Sequence, residues 1–131
     1  MLRDRVTIAR MSRLLRVLSA MAAIYGIGFG LMSIPTALLV GPHLLFAALG
    51  HIAVGTLFLF AVLTLGRGQR RGVWLALVGS LLASGVGAAG FLAAFQSEDA
   101  AGRVFFALFT SYFLLTAGAA ALIAARPKIG N

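Results

Sequence analysis

Cysteine is absent from this 131-residue chain, which excludes disulfides, thiolate chemistry and cysteine-ligated metals. Acidic residues are scarce: Asp4, Glu98 and Asp99 stand against 11 Lys and Arg. Charge of either sign is missing from four long apolar stretches, where His51 is the lone ionisable side chain apart from the tyrosines. A charge near mid-bilayer costs about 2.5–3.5 kcal/mol, so stretches without charge suit hydrocarbon. Hydrolytic or group-transfer catalysis lacks a buried acid, base or nucleophile, and no catalytic residue is assigned. A proton-coupled exporter lacks its buried carboxylate.

What remains is apolar. The chain is 61% hydrophobic and 11% charged, with mean hydropathy +1.03, too little polarity for the surface of a soluble domain. A helix needs about 20 apolar residues to cross the hydrocarbon core. Val17–Val40, Leu44–Leu65, Val73–Phe95 and Val104–Ala125 each qualify. Gly41-Pro42-His43, Gly66–Gly72 and Gln96–Gly102 separate them, and such short links make neighbouring helices antiparallel. The expected fold is therefore all-α, a four-helix transmembrane bundle over residues 17–125. A basic segment, 1–16, precedes it and a basic tail, 126–131, follows. Ala20-Met21-Ala22 has the look of a signal cleavage site, but Arg16 leaves no h-region of about 7–15 residues before it. The first span is read as a retained anchor.

The formal charge of +8 lies beside apolar spans rather than on a soluble face, so anionic lipid rather than nucleic acid is the expected counter-charge. Arg3, Arg5, Arg10, Arg13 and Arg16 precede the first span, Arg67, Arg70 and Arg71 fill the second loop, and Arg126 and Lys128 end the chain. The other two loops hold only Arg103 and His43. The positive-inside rule then places both termini in the cytoplasm, in a bacterial inner membrane, with Trp74 at the headgroup layer. Arg10, Arg13, Arg16, Arg67, Arg70 and Arg71 are expected to meet lipid headgroups. Ile8, Met11, Leu15 and Leu18 recur opposite Arg10, Arg13 and Arg16, predicting a separate amphipathic interfacial helix. A docking arm for a partner subunit is the alternative.

Lipid tails are as apolar as Leu, so close contact through small residues draws helices together. Ala22, Gly26 and Gly30 form a small-xxx-small groove on the first span. Ala76, Ser80, Ser84 and Ala88 form one ladder on the third, and Gly79, Ala83 and Gly87 form the next. The first and third spans are thus expected to form the close-packed centre, with faces left over for a partner or a second copy. A shift of about sixty residues lays Ser19, Ala22, Gly26 and Leu31 over Ser80, Ala83, Gly87 and Leu92, and His51 over Tyr112, a faint sign of paired hairpins. Phe105, Phe106, Phe109 and Phe113 make a packing stripe on the fourth span, with a quinone or carotenoid groove as the alternative. Pro35 frees a carbonyl near residue 31, which Ser33 and Thr36 are placed to help satisfy. It predicts a static kink, with a gating hinge as the other use.

Counted at 1.5 Å per residue, Tyr25 and Ser84 lie about 12 and 16 Å from the cytoplasmic ends of their spans. His51 and Tyr112 lie about 10–13 Å from the opposite ends of theirs. All converge on one layer, with Thr110 and Ser111 adjacent. The layer is expected to be a buried hydrogen-bond network. The alternative is a site in which His51 ligates a metal or binds a cofactor or substrate. His43 and His51 are about 12 Å apart on one helix and cannot share a haem iron; Met21 or Met32 is the conceivable axial partner. No metal site or resident cofactor is assigned.

The leading expectation is a non-catalytic accessory subunit of a larger membrane complex. Lipids, and other subunits or copies of itself, would be its partners. The alternative is a small homo-oligomeric channel or carrier for a neutral or lipophilic solute, and a third is a haem- or quinone-associated electron-transfer subunit.

Overall fold

The computed structural model describes residues 2–126, so Lys128 and its part in the basic tail lie outside the described residues. Four helices follow one another: α1 (Leu2–Val40), α2 (Pro42–Gly66), α3 (Arg71–Gln96) and α4 (Ala100–Ala125). Each is long and apolar enough to cross a membrane. They pack as two antiparallel hairpins, α1 with α2 and α3 with α4.

The turns follow from local chemistry. Pro42 opens α2 at its first position, where a missing N–H leaves no helical bond unmade. Gly68 adopts φ 68° in the α2–α3 turn, a left-handed conformation that only glycine takes without strain. Asp99 caps α4, its Oδ1 accepting from Gly102 N–H at 3.0 Å. Glu98 beside it holds φ 58°, an uncommon backbone for a side chain with a Cβ.

Among the described residues there is no separate interfacial helix. The basic segment is the first part of α1, which runs unbroken from Leu2. Residues 2–25 contain no Gly or Pro to interrupt the backbone ladder. Its apolar stripe turns into the bundle: Leu15 is fully buried, Ile8, Met11 and Leu18 are half-buried, and Arg10, Arg13 and Arg16 are exposed. α1 also passes through Pro35 without a break. Ser33 does not serve the carbonyl that Pro35 frees, because its Oγ donates to Phe29 O at 2.7 Å.

The expected α1–α3 centre needs correction as well. The intimate contacts lie within the hairpins, where the antiparallel turn holds two helices in register. α1 and α3 only approach each other across the short diagonal of the bundle, while α2 and α4 stay apart. Phe58 from α2 and Phe113 from α4 fill that wider diagonal, their ring centres 5.7 Å apart. Around them the core is mostly alanine, with Ser19, Ser80 and Thr116 fully buried. The two series aligned by the sixty-residue shift share their burial: Ser19 and Ser80, Ala22 and Ala83, and Gly26 and Gly87 are inside, whereas Leu31 and Leu92 are exposed.

The smallest residues set the hairpin seams. A Cβ on Gly26 would lie 2.8 Å from both Gly55 Cα and His51 O, and one on Gly30 2.8 Å from Ala48 O. α2 and α3 meet at Gly72, against Ala61 O, and at Gly79, against the Phe58 ring. Gly87 and Gly90 receive Phe109 and Phe106 of α4. Both small ladders of α3 are thus used inside the chain, apart from Ala88, which is exposed.

Candidate functional site

His51 lies on α2, where its Nδ1 is 2.7 Å from Ala47 O one turn earlier. A carbonyl only accepts, so Nδ1 carries a proton and donates. In the neutral imidazole Nε2 is then an acceptor. Two rings of α1 flank the imidazole, Phe29 at 5.0 Å and Tyr25 at 6.3 Å between centres. Tyr25 stacks on Phe29 at 5.5 Å and meets Phe109 of α4 edge-on at 5.9 Å.

The structure brings together only part of the expected polar layer. Tyr25 and His51 meet as an aromatic pair. Tyr112 does not join them; its hydroxyl donates to Leu18 O at 2.5 Å and ties α4 to α1. Ser84 and Ser111 each return their proton to their own helix, to Ser80 O at 2.7 Å and Ala107 O at 2.8 Å. A helical serine reaches the carbonyl four residues back more readily than a neighbouring helix, which dissolves the network that depth alone suggests. Ser111 is exposed and Ser84 buried. Thr110 Oγ1, Ser19 Oγ and Ser80 Oγ are buried with no hydrogen-bond partner.

Beside His51 is a cleft of about 370 Å³, walled by Tyr25, Phe46, Val86, Phe109 and Phe113. It exists because α2 and α3 touch at Gly72 and Gly79 near their shared turn, while farther along Leu82 and Val86 stand off from Gly50 and Val54. Its rim residues Phe46, Gly50, Leu82 and Val86 are exposed, so the cleft opens sideways through the face of the bundle. A second cleft, also about 370 Å³, lies on the α1–α2 side of His51 and includes Ser33 and Thr36. A smaller one of about 210 Å³ separates α1 from α4 beside Tyr25 and Tyr112. The wide α2–α4 diagonal and the phenylalanine stripe on α4 together make the first cleft both roomy and apolar. Among the described residues no cluster of three or more His, Asp or Glu is placed to hold a metal ion.

The arginines divide into two sets. Arg10, Arg13, Arg67 and Arg71 are exposed. Arg70 instead donates to Ala124 O and, at 3.3 Å, to Arg126 O, closing the last carbonyls of α4. The Arg16 guanidinium sits against Gly66 at the end of α2. Cations there complement the negative end of the helix dipole. Arg103 completes the pattern: it donates to Phe95 O at 3.1 Å near the end of α3 and lies 4.5 Å over the Phe95 ring. Its position in the first turn of α4 is unfavourable for a cation on its own helix, and that oddity was the sequence signal for its service to α3.

No family model, curated protein or solved structure matches this chain.

Proposed function

We propose that this chain works by binding rather than by catalysis, taking a neutral, lipophilic molecule from the bilayer into the cleft between α2 and α3. The observation that supports this most directly is the sideways-opening apolar cavity of about 370 Å³ with His51 in its wall. Its size falls in the range of small-molecule sites, which are mostly apolar with a few placed polar groups. Among the described residues the buried set holds no carboxylate or lysine to drive a reaction.

The test is extraction of the purified protein in nanodiscs, compared with a Val86→Trp variant that fills the cleft. The wild type is expected to carry a lipophile that the variant lacks at equal folding. Equal lipid content in the two would refute the binding role.

A second role, as a subunit packed against a larger membrane partner, rests on the outer face of α3. Gly85 borders open space there, and Ala88 and Ala89 are exposed. Such residues allow close helix approach. Cross-linking from Gly85→Cys to a second protein species would support it, and recovery of uncross-linked monomer alone would remove it.

We place the basic side in the cytoplasm, in a bacterial inner membrane, and the arginine bias between the loops supports the sidedness. With no native cysteine, Gln69→Cys should react with an impermeant maleimide only in inside-out vesicles and Ser97→Cys only in right-side-out ones. The reverse pattern would invert the topology.

A further inference from the structure

We infer that the α2–α3 cleft selects lipophiles carrying a hydroxyl donor, which gives its proton in a hydrogen bond to Nε2 of His51. This rests on the binding role proposed above. Nδ1 is already committed to Ala47 O, so the Nε2 of a neutral ring offers a lone pair, and no proton, to a ligand, and His51 lines the cleft wall. A ligand carbonyl or ether oxygen would meet that lone pair with its own. A hydroxyl completes it. The remaining walls are apolar: Tyr25, Phe46, Phe109 and Phe113 supply ring faces and edges, and Val86 an aliphatic side. Aromatic walls suit a flat ring in offset or edge-on contact. A hydroquinone headgroup and a long-chain alcohol share the required chemistry, and they differ in whether the rings contribute.

Three probes with the same decyl chain separate these cases: a decyl-hydroquinone kept reduced, the corresponding quinone, and decanol. Each is titrated into the full chain in nanodiscs. Affinity is read by equilibrium binding, and the His51 Nε2 resonance is followed by nitrogen-15 NMR, with His43 as internal control.

The hydroquinone is expected to bind about tenfold tighter than the quinone, the factor carried by one good hydrogen bond. Only hydroxyl-bearing probes should shift the Nε2 signal, and His51→Phe should erase the preference. Decanol matching the hydroquinone assigns the site to alcohols in general; weaker binding of decanol assigns it to hydroxylated rings. Both results support the hydroxyl assignment. Equal affinity for quinone and hydroquinone, an Nε2 signal that stays in place, or a preference that survives His51→Phe would overturn it. The NMR arm uses wild type alone and so does not depend on the variant folding. Failure of all three probes to bind would refute the binding role itself, whereas binding without preference refutes only the hydroxyl assignment.

Discussion

Replacing Gly26 by Ala should weaken the bundle, while the same change two residues on, at Gly28, should not. A Cβ at Gly26 would stand 2.8 Å from Gly55 Cα and from His51 O, both backbone atoms that cannot swing aside. Ordinary contact begins near 3.4 Å, so α1 and α2 would have to part by about 0.6 Å at that level. A gap of that size forfeits roughly a quarter to a half of each contact along the seam, and overpacking of this kind costs about 1–3 kcal/mol. At Gly28 nothing lies within 4 Å of the added carbon. Both variants gain the same helix propensity, about 1 kcal/mol for Gly to Ala. Their difference therefore isolates the steric term: Gly26→Ala should be about 1–3 kcal/mol less stable than Gly28→Ala. Unfolding by increasing SDS in mixed micelles, followed by Trp74 fluorescence and helicity, measures it. Equal stability of the two variants would mean that α1 and α2 do not meet at Gly26 and Gly55.

Tyr112→Phe removes the hydroxyl that joins α4 to Leu18 O and should cost about 0.6 kcal/mol, the mean for such bonds in a membrane bundle; the same unfolding assay reads it. Ser80→Ala deletes a buried hydroxyl with no partner, so stability should hold or rise by up to about 1 kcal/mol. A loss would reveal a hydrogen bond that Ser80 makes in the membrane. Arg70→Ala opens the carbonyls at the end of α4, and hydrogen exchange should quicken in the last turn of α4 while α1 is unaffected.

The four helices were legible because charge and apolar length report them directly, and the turns because Gly, Pro and Asp99 mark them. The small residues of α3 announced close packing. Their partners stayed hidden because a ladder shows that something fits against it, not what. Gly55 belongs to no four-residue ladder of small residues, with His51 before it and Leu59 after, yet it receives Gly26. The polar layer was half legible. Depth placed Tyr25 and His51 at one level, and the rings do meet. Ser84 and Tyr112 have the same depth, but their hydroxyls face other acceptors, and counting along helices says nothing about rotation around them. The phenylalanine stripe of α4 hinted at a groove, but its place between α2 and α3 was not legible, since it arises from Phe58 and Phe113 holding α2 and α4 apart and from α3 standing off α2 beyond Gly79.

The seal at Gly72 has a consequence for traffic. Near their shared turn α2 and α3 are closed by direct contact between Gly72 and Ala61, whereas the opening, rimmed by Phe46, Gly50, Leu82 and Val86, runs from the middle of α3 toward the end where Gly41 alone joins α1 to α2. A guest would then come in from one monolayer only, and a molecule dissolved in the opposite one would have to flip before it could load. Occupancy would follow the composition of a single side of the membrane, so enriching that side with a competing amphiphile should empty the protein while the same addition to the far side leaves it full.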